Sequence, residues 1–179
     1  MKIVNNSYRS RFLAYILRHD NKSPIKQGGW LSVDYLTSVK EFSYEEIGNI
    51  VLNDEKMRFE LNEDHTLIRA LYGHSVPVDL GLKCKVPPKQ LYHGTSADVS
   101  AKILELGLLP MSRNFVHLCD DEHLAIEVGR RHGDPLLVYI NAAEMVASGY
   151  HFYNPVGHTW LVSKVPSQYF NISTTLKQS

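Results

Sequence analysis

Several polar stretches of this chain combine residue types that can handle an anion or a proton. Arg18-His19 closes the first periodic segment. Arginine offers a planar fork of donors that matches phosphate oxygens two at a time, and histidine titrates near neutrality. The same pair is also what the C-terminal end of a helix attracts, so position alone leaves both readings open. Arg69 stands inside the apolar run Leu67-Ile68-Arg69-Ala70. It needs a partner if its face is half-buried and none if that face is solvated. In Leu91-Tyr92-His93-Gly94-Thr95 a strand ends at a glycine. A ligand could approach the backbone there, with His93 and Thr95 adding side-chain bonds, although a plain turn before a helix reads the same. Arg113 (in Met111-Ser112-Arg113) and His117 (in Val116-His117-Leu118) carry similar individual weight.

His117, Cys119, Asp120, Asp121 and His123 lie close together and are all metal-ligand types. Asp120 and Asp121 read instead as the opening of a helix, and there is no HExxH or i, i+4 histidine pair, so no metal is expected. Arg130-Arg131-His132 precedes Gly133, again where a helix end attracts cations. The glycine-rich signatures GxGxxG and GxxxxGK[ST] do not occur.

The elements that must position these residues fit within 179 residues, enough for one ordinary domain or two small ones. Hydrophobic residues make up 44% and charged ones 21%, which excludes a fibre or a disordered tail. Nineteen basic residues balance nineteen acidic ones, split ten against ten up to Ser75 and nine against nine beyond it. A polyanion must therefore be gripped by a local cluster rather than steered by net charge. Cys84 and Cys119 make no disulfide framework. The N-terminal residues lack the apolar run of a signal peptide, and no stretch of roughly 18 apolar residues predicts a membrane span. A reducing, cytoplasmic setting is the expectation.

Phe12, Leu13, Ile16 and Leu17 share one face of a helix predicted over 7–19, with Ser7 as its cap. After the turn Gly28-Gly29-Trp30, Ser32 caps a second helix to about Val39. Ser43 with Glu46 forms a capping box opening a third, which ends near Asn53. Arg58-Phe59-Glu60-Leu61 and Leu67-Ile68-Arg69-Ala70 then read as a hairpin. Three helices followed by a two-stranded wing is the order of a winged helix. Residues 76–90, with Pro77, Gly81, Pro87 and Pro88, read as a linker. The second half predicts a strand at 91–93, a helix over 97–106 stopped by Gly107, and a strand over 115–119. A helix from Asp120 to Gly133, a strand over 136–140 and a helix over 142–149 follow, then strands near Phe152 and Trp160.

Taken in order, these segments closely resemble the RNA 2′-phosphotransferase family of the KptA type over essentially the whole chain. The resemblance rests on Phe12 through His19, Gly29-Trp30-Leu31-Ser32-Val33-Asp34, Arg58-Phe59-Glu60-Leu61, and Ile68-Arg69-Ala70 with Gly73-His74-Ser75. It continues through Leu91-Tyr92-His93-Gly94-Thr95, Met111-Ser112-Arg113 with Val116-His117-Leu118, Gly129-Arg130-Arg131-His132-Gly133, and Trp160-Leu161 before Val165-Pro166.

The resemblance implies an α+β fold, with a winged-helix-like RNA lobe over 1–75, the linker 76–90, and an ADP-ribosyltransferase-like NAD-binding lobe over 91–179. It implies a transferase that consumes NAD+ and acts on RNA carrying an internal 2′-phosphate, as left after tRNA ligation, with no metal, membrane or obligate protein partner. A 2′-phosphate oxygen attacks C1″ of the nicotinamide riboside and nicotinamide leaves. The ribose O2″ then attacks the same phosphorus, releasing 2′-OH RNA and ADP-ribose 1″,2″-cyclic phosphate. The family's Arg-His-Arg-Arg set falls on Arg18, His19, Arg69 and Arg113. Its members would clamp the phosphate, with His19 hydrogen-bonding it or moving a proton. Arginines drawn from both halves would put the reaction in a cleft between them. For NAD+, His93, Gly94 and Thr95 take the first position of a His-His-hydrophobic triad and His117 the second. Gly94 backbone groups would read the nicotinamide amide and His93 a ribose hydroxyl, while the third position falls on Thr159.

Two other readings compete. A protein-modifying ADP-ribosyltransferase would carry a glutamate in its final strands, but Glu144 is the last carboxylate of the chain. An anionic phosphate acceptor needs no carboxylate base, which favours the phosphotransferase and leaves terminal-phosphate ADP-ribosylation as a side activity. A non-catalytic winged-helix module would read a groove with its third helix, which begins Tyr44-Glu45-Glu46 and carries no basic residue, so phosphates would oppose it.

Overall fold

The structure is a computed structural model in which residues 6–173 are described, with side chains from Tyr8 onward. The side chain of Ser7, expected to cap the first helix, lies outside the described residues. Between Gly81 and Leu82 the chain divides into two compact units. Both are mixed α+β, and each is built on its own antiparallel sheet.

In the first unit the apolar spacing near the N-terminus forms α1 (Asn6–Arg18), which buries Leu13, Ile16 and Leu17 completely. These pack with Leu31, Leu36, Ile47 and Ile68 from β1 (Trp30–Ser32), α2 (Val33–Val39), α3 (Tyr44–Leu52) and the hairpin that follows into one core. The hairpin strands are β2 (Phe59–Leu61) and β3 (Leu67–Ala70). The sheet order is β1-β3-β2, so the sheet has three strands where the sequence predicted a two-stranded hairpin. Trp30 sits opposite Arg69 and Leu31 opposite Ile68. The glycines before Trp30 make a turn, but burying Leu31 against β3 draws the next three residues into the sheet. Half of the capping box forms: Ser43 Oγ accepts from the Glu46 amide at 3.0 Å. The Glu46 carboxylate does not reach back, because Arg9 holds it at 2.5 and 3.0 Å. Ser32 flanks α2 without a side-chain cap.

Leu71 to Lys89 contains no helix or strand; its one bridge joins Cys84 to Tyr153. The second unit then runs through β4 (Gln90–Ser96), α4 (Ser100–Leu106), β5 (Val116–Cys119), α5 (Glu122–Arg130) and β6 (Pro135–Asn141). It continues with α6 (Ala142–Ala147), β7 (Tyr153–Val156), β8 (Thr159–Val162) and β9 (Phe170–Ser173). The order is β7-β8-β5-β4-β6-β9, and all the pairings are antiparallel. Leu91, Val138, Ile140, Met145, Phe152 and Val162 form its core. The edge strand β9 was not expected: one buried aromatic, Phe170, supplies too little alternation, and pairing with β6 fixes it. Among the described residues no helix is long and apolar enough to cross a membrane.

One expectation is corrected in kind. β4 does not break at Gly94 but runs through it to Ser96, pairing with β6 throughout. A Cβ at Gly94 would lie 1.6 Å from the Ala125 carbonyl oxygen, and one at Gly129 would lie 2.9 Å from the Thr95 carbonyl oxygen. Two glycines therefore let α5 lie directly on β4. Helix packing alone requires a glycine at position 94.

Gly94→Ala should accordingly lower stability by about 3 kcal/mol or abolish folding, because backbone has to move. Gly48, inside α3 with open space around it, gives the internal control. Gly48→Ala should raise stability by about 0.5–1 kcal/mol. Urea unfolding of both variants checks the pair, and a Gly94→Ala protein as stable as wild type would refute the packing account.

Candidate active site

In the first unit, the chain after the β2–β3 hairpin folds back onto the end of α1. The Arg18 carbonyl, otherwise left open at the helix terminus, accepts from the Ser75 amide at 2.9 Å and the Val76 amide at 3.2 Å. The half-buried Arg18 guanidinium lies 4.8 Å from the centroid of the Tyr72 ring. Gly73, at φ 89°, makes room beside it: a Cβ there would meet the guanidinium carbon at 3.2 Å. His19 projects outward, with Nδ1 2.8 Å from Ser75 Oγ. Ser75 Oγ also donates, at 3.5 Å, to the Arg18 carbonyl. The loop that follows is pinned by Asp20, which bonds Lys40 Nζ at 2.9 Å, Ser23 Oγ at 2.8 Å and the Lys22 amide at 3.0 Å. Chiefly through Lys40, these bonds hold the Asp20 carboxyl down at about 2.

His74, between Gly73 and Ser75, is buried, and neither ring nitrogen has a hydrogen-bond partner among the described residues. Burial first, then the charges of Arg18 and His19, lower its pKa to about 4. It is therefore a neutral ring packed beside the Arg18 guanidinium and the His19 ring.

Arg69 occupies the half-exposed face of β3, opposite Glu60 and Trp30. It donates to Glu60 Oε2 at 2.6 Å and to the Gly28 carbonyl at 3.3 Å, and its guanidinium carbon lies 4.4 Å from the Trp30 ring centroid. This settles the question its position in the strand left open: Arg69 has partners, Glu60 through Nε and Nη2 and the Gly28 carbonyl through Nη1.

In the second unit His93 Nδ1–H donates to the His117 carbonyl oxygen at 2.8 Å. A carbonyl can only accept, so this bond fixes the tautomer and leaves Nε2 as the acceptor. Burial lowers the pKa of His93, the bond to His117 works against it, and the charges of His132 and Arg113 add to the lowering. Arg113 is exposed beyond the turn closed by its amide on Pro110. His93 and Thr95 line a cavity of about 260 Å³ whose walls are mainly apolar: Val99, Ile103, Leu106, Leu108 and Leu109, with Lys102 the one charged side chain. Gly94 does not line it, consistent with its role under α5.

The acidic residues near His117 have other duties. Asp121 Oδ1 caps α5 through the Leu124 amide at 3.0 Å. Asp120 accepts from His158 Nδ1 at 2.6 Å and from Trp160 Nε1 at 2.9 Å. Among the described residues no three His, Cys, Asp or Glu side chains gather as metal ligands. Sequence reasoning passed over Ser75 and His74 as site residues and did not single out Lys102. The block Gly73-His74-Ser75 was visible, but nothing in it says that the chain returns to Arg18.

Comparison with known proteins gives this arrangement its class. Residues 5–164 match the family model described as RNA 2'-phosphotransferase, Tpt1 / KptA family. A probable RNA 2'-phosphotransferase of Acaryochloris marina is 43% identical over 169 residues, 90% of this chain and 93% of its own length. Proteins of the same description from Agrobacterium fabrum (40% over 172 residues, 92% of each chain) and Burkholderia pseudomallei (39% over 168 residues, 89% and 91%) are similar throughout. The chain belongs to the RNA 2'-phosphotransferase, Tpt1 / KptA family, a family of transferases.

The buried neutral histidine dictates an acid response. Unfolded, a histidine takes its proton near pH 6.5; folded, His74 takes it only near pH 4. The unfolded chain binds the proton first, so stability falls as pH drops through that interval, by up to about 3 kcal/mol. His93, also lowered, acts in the same direction. Asp20 contributes a separate loss below its ordinary value, toward about 2. His74→Leu should flatten the limb between pH 6.5 and 4 without moving the more acidic one. Urea midpoints against pH measure this, and an unchanged upper limb would contradict the assignment.

Proposed function

We propose that this protein is an NAD+-dependent RNA 2′-phosphotransferase that removes an internal 2′-phosphate from RNA. Its products would be 2′-OH RNA, ADP-ribose 1″,2″-cyclic phosphate and nicotinamide. The observation that carries the reading is the family match over 5–164, which spans both the Arg18-His19 clasp and the cavity beside His93. In this reading the first unit is a winged-helix-type RNA lobe and the second an ADP-ribosyltransferase-type lobe.

The residues present fit NAD+. His93 is neutral, its Nδ1 is spent on the His117 carbonyl, and its Nε2 can accept from a ribose hydroxyl. The cavity offers apolar walls to a flat ring and one cation, Lys102, to a pyrophosphate. His117 supports this by orienting His93 through its backbone carbonyl. NAD+ supplies an electrophilic ribosyl carbon with a good leaving group, so a phosphate oxygen needs no general base to attack it.

Arg18, His19, Arg69 and Arg113 are assigned to the phosphate. Charge gathers on the phosphoryl oxygens in the second step, where fixed cations lower the barrier most. Arg18 is preorganised on Tyr72 and Arg69 on Trp30, so neither spends its full side-chain entropy on binding. Ser75 serves His19 in both protonation states. Its hydroxyl donates to Nδ1 of the neutral ring, and turns to the Arg18 carbonyl to accept from Nδ1–H of the charged one. The ring then changes charge without changing place, and Nε2 faces the substrate.

Purified protein incubated with an RNA bearing one internal 2′-phosphate should convert it to 2′-OH RNA only when NAD+ is added, with ADP-ribose cyclic phosphate found by mass. RNA left unchanged in the presence of NAD+ would overturn the reading. Ser75→Ala should cost 10- to 100-fold in kcat at unchanged stability, Ser75→Thr should restore most of it, and the loss should vanish in a His19→Ala background. A Ser75→Ala loss of the same size in that background would show that Ser75 does not act through His19.

A further inference from the structure

α1 has an outer face of unusual make-up. Tyr8, Arg11, Tyr15 and His19 fall at i, i+3, i+7 and i+11, one stripe along the helix opposite the buried Leu13, Ile16 and Leu17. Tyr8 is 60% and Tyr15 53% exposed, large apolar rings that the core leaves outside. The helix carries three arginines and no acidic residue from Asn6 to Arg18. Arg9 is turned away from this stripe, onto Glu46 and the Glu41 carbonyl. The rings are also ordered: Tyr8 stacks on Phe12 at 6.4 Å and 13°, and the Tyr15 ring lies 6.1 Å from that of His19.

We propose that this face of α1 is the track for the RNA strand next to the 2′-phosphate, with Tyr15 stacking a base adjacent to the reacting nucleotide and Arg11 taking a backbone phosphate. The inference rests on His19 being at the phosphate, as argued above. Exposed aromatic rings alternating with arginine, on a helix with no acidic residue of its own, are what single-stranded nucleic acid needs: a π-face for each base and a cation for each phosphate. Stacking is tolerant of sequence, so the track grips RNA without choosing among bases. From Tyr8 to His19 the helix rises about 16 Å, enough to run beside a few nucleotides. His19 ends the stripe, which places the base on Tyr15 one step from the phosphate that His19 would hold.

Steady-state kinetics on two substrates test this: a short single-stranded RNA with one internal 2′-phosphate, and a nucleoside 2′-phosphate, which has no neighbouring base. Tyr15→Ala should raise KM for the longer RNA about 5- to 30-fold with kcat nearly unchanged, and leave the nucleoside 2′-phosphate unaffected. Tyr15→Trp should retain or tighten binding. Arg11→Ala should reduce the salt dependence of log KM by about one contact. An unchanged KM for Tyr15→Ala on the longer RNA would overturn the proposal, as would an equal loss on both substrates. An equal loss would mean that Tyr15 acts only through His19. Failure of the wild-type protein to turn over either substrate would count against the proposed reaction, whereas normal turnover with an indifferent Tyr15 would count against the track alone.

Discussion

The first unit depends on how one helix end is satisfied. The carbonyl of Arg18 terminates α1 and would be left without an intrahelical donor. The amides of Ser75 and Val76 supply that donor from far along the chain. Everything polar nearby follows from this return. Gly73 admits the Arg18 guanidinium, Ser75 Oγ meets His19, and His74 is carried inside with no hydrogen-bond partner among the described residues. The bare ring of His74 costs stability as pH falls, and at neutral pH it adds no positive charge beside the Arg18 guanidinium.

In the second unit the comparable constraint is steric. Gly94 and Gly129 remove the side chains that would separate α5 from β4. β4 stays paired with β6 throughout, and His93 and Thr95, two residues apart on one side of the sheet, both border the apolar cavity. His93 gains its tautomer from a strand neighbour rather than from a side chain: the bond goes to the backbone of His117, so the orientation of the ring is tied to the sheet itself. Gly94 thus serves packing, and the residues on either side of it border the cavity.

The helices were legible because their signals are local. Apolar spacing marked α1, and Ser43 and Asp121 capped their helices as their types suggest. The elements that escaped are held by distant partners: β1 by β3, and β9 by β6. The site divides in the same way. Arg69 could be read only as partnered or solvated until Glu60 and Trp30 were seen beside it. The block Gly73-His74-Ser75 was visible, but the contact of Ser75 to His19 was not, because it spans more than fifty residues of chain. The resemblance pointed to the cations but not to the groups that hold them.

The central claim is a division of labour, with Arg18, His19, Arg69 and Arg113 serving the phosphoryl step more than the attack on the riboside. Single-turnover reactions of the four alanine variants, followed on RNA labelled at the 2′-phosphate, test it directly. The account predicts folded proteins that pass the first step and accumulate ADP-ribosylated RNA, since the incoming phosphate is already an anion while the second step concentrates charge on it. Turnover at the wild-type rate in all four, or a block confined to the first step with no intermediate, would contradict it.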